Sequence, residues 1–86
     1  MSMIDDEFAA AERRVKTLTK RPSNQVLLQL YSLYKQGSQG DAQGERPGMM
    51  EFVERAKFDA WDALRGVDGD TAKRRYIDLV DSLFED

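Results

Sequence analysis

The sequence predicts an all-α protein built from four helices. Three observations carry this. Apolar residues recur at spacings of three and four, and no segment shows the strict alternation of a strand. Glycine and proline gather at three places, Arg21-Pro22-Ser23, Gly37 to Gly48 and Gly66-Val67-Asp68-Gly69, which divide the chain into four stretches. The length of 86 residues suits one domain, residues 1–86, and no more.

Each stretch has its own signals. The first is expected to start after Asp5 and Asp6, acids that suit a helix N-terminus, with Phe8, Ala11, Val15 and Leu18 on one face. The second follows Pro22, with Ser23 or Asn24 as N-cap. Its apolar residues, Val26, Leu27, Leu28, Leu30, Tyr31, Leu33 and Tyr34, are too dense for one stripe, so two faces are expected to meet other helices or a ligand. The third follows Pro47-Gly48, with Phe52, Val53, Ala56, Ala60, Trp61 and Leu64 as its apolar stripe and Gly66 as its stop. Asp68 is expected to cap the fourth, where Ala72, Tyr76, Leu79, Val80 and Leu83 continue the helical period. The link from Gly37 to Gly48 is longer than a tight hairpin needs and leaves room for the third helix to run parallel to the second.

Composition narrows the chemistry. Cysteine and histidine are both absent. That removes disulfides, thiolate and imidazole metal ligands, the Cys nucleophile, the Ser–His triad and the commonest general base. No P-loop, GxGxxG or metal-ligand spacing occurs, and no cofactor is expected. The net charge of −3 argues against general nucleic-acid binding. The acidic start, Met1 to Phe8, does not read as a signal peptide, and no apolar run approaches the ~20 residues that span a bilayer. A soluble, cytoplasmic monomer without stable membrane insertion is expected.

Three clusters are candidates for binding. Tyr31, Tyr34 and Lys35 stand at i, i+3 and i+4, which places two phenols and an ammonium on one helix face. Such a face suits a planar base and a phosphate; it equally suits two core-edge tyrosines beside a solvated lysine. Lys57 lies four residues before Trp61, either at the rim of a groove or on an ordinary solvated face. Tyr76 is a groove residue or a core tyrosine with a polar tip. Lys73-Arg74-Arg75 and Arg13, Arg14 and Lys16 read most simply as solvated faces.

Taken in order, these segments resemble the acyl-CoA-binding protein family. The resemblance runs through Pro22 to Gln36, with Tyr31-Ser32-Leu33-Tyr34-Lys35-Gln36 as its core, then Gly40-Asp41. It continues in Glu45-Arg46-Pro47-Gly48-Met49, Ala56-Lys57-Phe58-Asp59-Ala60-Trp61 and, more weakly, Ala72-Lys73-Arg74-Arg75-Tyr76-Ile77. It implies an up-down-down-up four-helix bundle and a non-catalytic carrier of medium- to long-chain fatty acyl-CoA esters. It further implies that Tyr31, Lys35, Lys57 and Tyr76 meet the nucleotide end of CoA. Tyr34 matches the second tyrosine of the signature, and Lys16 a lysine that approaches the CoA phosphates. Leu27 and Leu28 match apolar positions beside the acyl chain. Passing contacts with membranes or acyl-CoA enzymes belong to the same picture.

Several positions depart from the family pattern. Phe58 stands where many members have Trp, and so lacks an indole N–H. Gly37 replaces a helix-favouring Ala or Ser and is expected to end the second helix early. Arg21 replaces Lys, Leu33 sits where a polar or aromatic residue is common, and the end, Phe84-Glu85-Asp86, is acidic instead of basic. Two other readings of the aromatic and basic residues compete with a carrier. One is a helical interaction module that binds a partner helix or a nucleic acid; for a nucleic acid, affinity would fall steeply with salt and be indifferent to acyl length. The other is an enzyme of acyl-CoA metabolism, which would turn the thioester over.

Overall fold

The computed structural model describes residues 3–85, and among them the regular structure is helical throughout. The elements are α1 (Met3–Val15), α2 (Asn24–Gln39), α3 (Phe52–Asp62) and α4 (Gly69–Leu83). Asp86 of the acidic C-terminus and the first two residues of the acidic N-terminus lie outside the described residues.

The caps explain two of the four starts. Ser23 takes an extended backbone, and its hydroxyl accepts from the Val26 N–H at 3.2 Å. Asp68 accepts from the Thr71 N–H at 2.9 Å and from the Thr71 hydroxyl at 2.7 Å. Each satisfies a donor that the helix cannot, a contribution of about 1 kcal/mol. Other boundaries differ from the sequence expectation. Asp5 and Asp6 lie inside the first turn of α1, not before it, and Leu18 falls beyond the helix end. α3 stops at Asp62, four residues before Gly66. The intervening residues remain in tight i to i+3 turns, with Leu64 N–H on Trp61 O and Arg65 N–H on Asp62 O.

Gly37 does not end α2, which continues to Gln39. A Cβ at position 37 would stand 3.0 Å from Lys73 Cγ and 3.3 Å from Phe8 Cζ. The glycine therefore lets α1, α2 and α4 approach closely, and that packing outweighs its low helix propensity. The helix turns off at Gly40, whose φ of 82° is open to glycine and costly elsewhere, while its N–H bonds Gln36 O.

Contacts between the helices fix their directions. Near the starts of α1 and α4, Asp5 meets Lys73 at 2.6 Å; near their ends, Arg14 meets Asp81 at 2.7 Å. α1 and α4 are therefore parallel. Late in α2, Gly37 lies against Lys73, early in α4, and one turn back on α2 Tyr34 lies 5.8 Å from Tyr76, one turn onward on α4, so those two are antiparallel. Tyr31 faces Lys57, and one turn onward Lys35 faces Trp61, so α2 and α3 are parallel. The result is up-down-down-up.

The molecule measures 36 × 31 × 16 Å, so its thin dimension is less than two helix diameters of about 10 Å. Its core is accordingly a single layer. Phe8, Ala11, Leu30, Tyr76, Ile77 and Val80 fill the space between α1, α2 and α4. α3 stands at the edge, packs on α2 alone among the helices and buries only Trp61.

Candidate functional site

The parallel course of α2 and α3 creates the site. Both helices present a face that repeats every four residues: Leu27, Tyr31 and Lys35 on α2, and Val53, Lys57 and Trp61 on α3. Because the helices run the same way, the two faces meet in register as three rungs. Leu27 and Val53 line one groove. Lys57 Nζ lies 5.3 Å from the centre of the Tyr31 ring. Lys35 Nζ lies 4.7 Å from the Trp61 ring. The seam thus passes from apolar at the helix starts to cationic and aromatic at their ends, within two turns.

At the apolar end is a groove of about 500 Å³, walled by Leu27, Leu28, Phe52, Val53 and Ala56, with Asn24, Arg21 and Lys57 at its margins. The sequence-based expectation for α3 needs correcting here. Phe52 and Val53 belong to its apolar stripe, yet they are 72% and 65% exposed. The stripe faces the open groove at its start and reaches the interior only at Trp61.

Beside the second rung is a separate hollow of about 340 Å³ lined by Tyr31, Tyr34, Tyr76, Leu30 and Glu12. Tyr34 stacks on Phe8 with ring centres 5.2 Å apart and an angle of 24°, and lies 5.8 Å from Tyr76. Tyr76 itself is buried, with its ring edge-on to Phe8. Removal from water, aided by the Glu12 carboxylate and Tyr34, pushes the Tyr76 hydroxyl up to about 12. It is therefore a neutral hydrogen-bond donor at any physiological pH.

Of the eight residues singled out from the sequence, the structure places seven on this seam or in the hollow beside it. Leu27, Leu28 and Lys57 belong to the groove, Tyr31, Tyr34 and Tyr76 to the hollow, and Lys35 to the third rung. Lys16 stands apart. It lies just past the end of α1, with its side chain 70% exposed, and bonds Glu12 at 2.7 Å. Through that carboxylate it borders the hollow without lining it. Sequence reasoning did not single out Glu12 or Asn24 for the site. Glu12 lies four residues before Lys16, a spacing that marks an ion pair but not the hollow behind it.

Polar bonds brace the cationic end. Trp61 Nε1 donates to Gly40 O at 2.8 Å. The Gln36 amide donates to Asp41 at 2.8 Å and to Val67 O at 2.9 Å, and Asp41 also accepts from the Gly66 N–H at 2.8 Å. These two donors hold the Asp41 carboxyl below the usual carboxylate range. Arg46 grips Asp59 through two bonds of 2.8 and 2.7 Å, which ties the link to α3. Among the described residues no group of acidic, Cys or His side chains is placed to hold a metal ion. No helix there is long and apolar enough to cross a membrane.

Comparison with known proteins agrees with this architecture. The family model described as acyl CoA binding protein matches residues 5–80. The acyl-CoA-binding protein homolog of Drosophila melanogaster is 42% identical over 94% of this chain and 94% of its own length. A crystal structure of acyl-CoA-binding protein 2 from Oryza sativa superposes with a TM-score of 0.90 at 38% identity, covering 93% of this chain and 87% of that one. Enoyl-CoA delta isomerase 2 of Rattus norvegicus is 45% identical over 96% of this chain, but the chain spans only 21% of that enzyme. With a profile covering most of its length, relatives of matching size and the same bundle, the chain belongs to the acyl-CoA-binding protein family.

Proposed function

We propose that residues 1–86 form one unit that carries medium- to long-chain fatty acyl-CoA esters without altering them. The observation that carries this reading is the seam between α2 and α3, where an apolar groove adjoins an aromatic and cationic platform. An acyl-CoA ester has the same polarity order. Its tail is apolar, and its nucleotide end combines a purine with several phosphate charges.

Each part of the seam has a task in this reading. The tail leaves water for the groove of Leu27 and Leu28, at roughly 0.8 kcal/mol per methylene. Lys57 and Lys35 already rest on the faces of aromatic rings, and a phosphate draws them off at little cost in order. Tyr31 and Tyr34 offer faces for the base, and the neutral Tyr76 hydroxyl donates to an anionic oxygen. Lys16 joins by leaving Glu12 for a phosphate. That exchange also places a negative carboxylate near the nucleotide, so Lys16 is the weakest of the four phosphate partners. Holding the ester needs no bond to break, and the available side chains include neither Cys nor His to attack it. A sheltered tail keeps the ester out of membranes and micelles, with delivery to membranes or acyl-CoA enzymes by passing contact.

Isothermal titration with palmitoyl-CoA, free CoA and palmitate tests the reading. One-to-one binding of the ester, far tighter than either fragment, is expected. Affinity should rise about 15-fold for each two methylenes until the groove is filled, since 1.6 kcal/mol is roughly that factor. A folded protein that binds free CoA as tightly as the ester would sink the groove, and slow turnover of the bound thioester would sink the carrier.

A further inference from the structure

The hollow beside the seam is lined by one acid. Tyr31, Tyr34 and Tyr76 supply phenol rings, Leu30 an apolar wall, and Glu12 brings a carboxylate to them from α1. The Glu12 side chain is 29% exposed, and Lys16 pairs with one of its oxygens, Oε2, at 2.7 Å, which leaves Oε1 able to accept from a ligand. Its charge is felt across the hollow: after burial, it is the next cause that makes the Tyr76 hydroxyl harder to ionise.

An acceptor-only group among aromatic faces is chemically selective. A flat base stacks on phenol rings whatever its edge carries, because every base has a π-face. A carboxylate cannot donate, so it favours an edge that carries an N–H and opposes one that carries a carbonyl oxygen. It also repels a phosphate from its own side of the hollow, and no Lys or Arg lines that hollow to offset it. The volume of about 340 Å³ is at the lower end for a small-molecule site, room for one base but not for a whole nucleotide.

We propose that Glu12 is a specificity-determining residue: its carboxylate accepts from the 6-amino group of a purine in the hollow, so that the site takes adenine nucleotides and discriminates against 6-oxopurines. Adenine presents that amine beside an unprotonated ring nitrogen, a donor next to an acceptor. The hollow answers with the carboxylate, which accepts, and with phenol hydroxyls, which can donate. A 6-oxopurine places two acceptors on the same edge, and its carbonyl oxygen meets the carboxylate lone pair to lone pair. The assignment rests on the carrier reading, in which the nucleotide end lies at the tyrosines. It adds a choice among bases that rings and lysines alone do not make.

Calorimetry with palmitoyl-CoA and with its hypoxanthine analogue, in which a 6-oxo group replaces the 6-amine, reads that choice directly. The two esters share the tail, the thioester and every phosphate, so the ratio of their affinities isolates the base edge. The wild type should prefer the adenine ester by about tenfold or more, the factor carried by a hydrogen bond to a charged group. In Glu12→Ala the preference should fall to about twofold or less. Circular dichroism of that variant should match the wild type, because alanine suits the interior of α1. A general loosening of α1, or release of Lys16, would move both affinities together and leave their ratio unchanged.

Tight and equal binding of the two esters by the wild type overturns the assignment and leaves the carrier standing. So does a preference that survives undiminished in Glu12→Ala, which would place the reading of the base on another group. Binding of neither ester removes the carrier reading and the assignment with it, so the two failures are told apart.

Discussion

Replacing Lys57 by Met removes a charge while keeping most of an apolar stem, and the structure gives the size of each consequence. In the free protein the ammonium has two partners. Its contact with Glu54 is 3.9 Å long, between side chains 38% and 63% exposed, and such a pair contributes a few tenths of a kcal/mol. Its place 5.3 Å from the Tyr31 ring adds about 0.5–1 kcal/mol. Lys57→Met should therefore cost about 1 kcal/mol of stability or less, read as the urea midpoint at an unchanged slope. Binding should suffer far more. A hydrogen bond to a charged phosphate contributes about 1.5–3 kcal/mol, so affinity for acyl-CoA should fall roughly 10- to 150-fold. The assay is calorimetry with dodecanoyl-, tetradecanoyl- and hexadecanoyl-CoA on both proteins at two salt concentrations. The loss should be the same factor at every length, because Met keeps the apolar stem that Lys57 gives the groove's margin, and the variant's affinity should depend less on salt. A loss under threefold in a folded variant, or a loss that grows with chain length, would refute the role of Lys57 as a phosphate ligand.

Further predictions concern neighbouring groups. Titrating the tyrosinate absorbance should show a component ionising near pH 12, and Tyr76→Phe should remove it. Since that hydroxyl is harder to ionise folded than unfolded, its contribution is complete below about pH 10 and fades toward pH 12, so alkaline unfolding should begin later in Tyr76→Phe. Asp41 is depressed by Gly66 N–H and Gln36, so its stabilisation is present above the ordinary carboxylate value near 3.9 and is lost as pH falls through the lower folded one. The urea midpoint of Asp41→Asn should accordingly change less than that of the wild type between pH 5 and 2. Gly37→Leu, which forces a side chain against Lys73 and Phe8, should cost about 1–3 kcal/mol by chemical denaturation; a neutral result would show that α4 gives way freely.

The fold was legible because its signals are local. A 3.6-residue period needs only neighbours along the chain, and Ser23 and Asp68 cap the helices their positions suggested. What was not legible depends on other elements. Gly37 carries a low helix propensity, but the reason for a glycine lies in Phe8 and Lys73, distant in sequence. The stripe of α3 shows that one face is apolar, yet not whether anything covers it, and Phe52 and Val53 remain open. Spacing left Tyr76 undecided between core and groove; the structure buries it among rings and places it at the hollow beside the seam, not in the groove. Glu12 reads as an ordinary helical acid until the third tyrosine arrives from α4. The rungs were written in the sequence as two matching four-residue repeats, but they align only once α2 and α3 are known to be parallel.

The placement of α3 also shows how a thin domain keeps a binding groove. At about 25 cal/mol per Å², covering the exposed sides of Phe52 and Val53, on the order of 250 Å², is worth roughly 6 kcal/mol, comparable with the whole stability of a small domain. Such a face collapses onto the bundle unless its helix is held some other way. Here the hold sits at the other end of the helix, in the buried Trp61 ring and in a set of polar bonds. Trp61 Nε1 on Gly40 O and the Arg46–Asp59 fork fasten α3 to the link, while Gln36 and Asp41 fasten the link to α2 and to the turn before α4. Directional bonds fix where the helix lies without consuming apolar surface, so the start of α3 projects while its end is anchored. The stabilisation left unrealised at the groove then arrives with whatever enters it, in proportion to the logarithm of ligand concentration over Kd. In the carrier reading, loading adds stability, and the affinity of the groove should depend on bonds at the far end of α3.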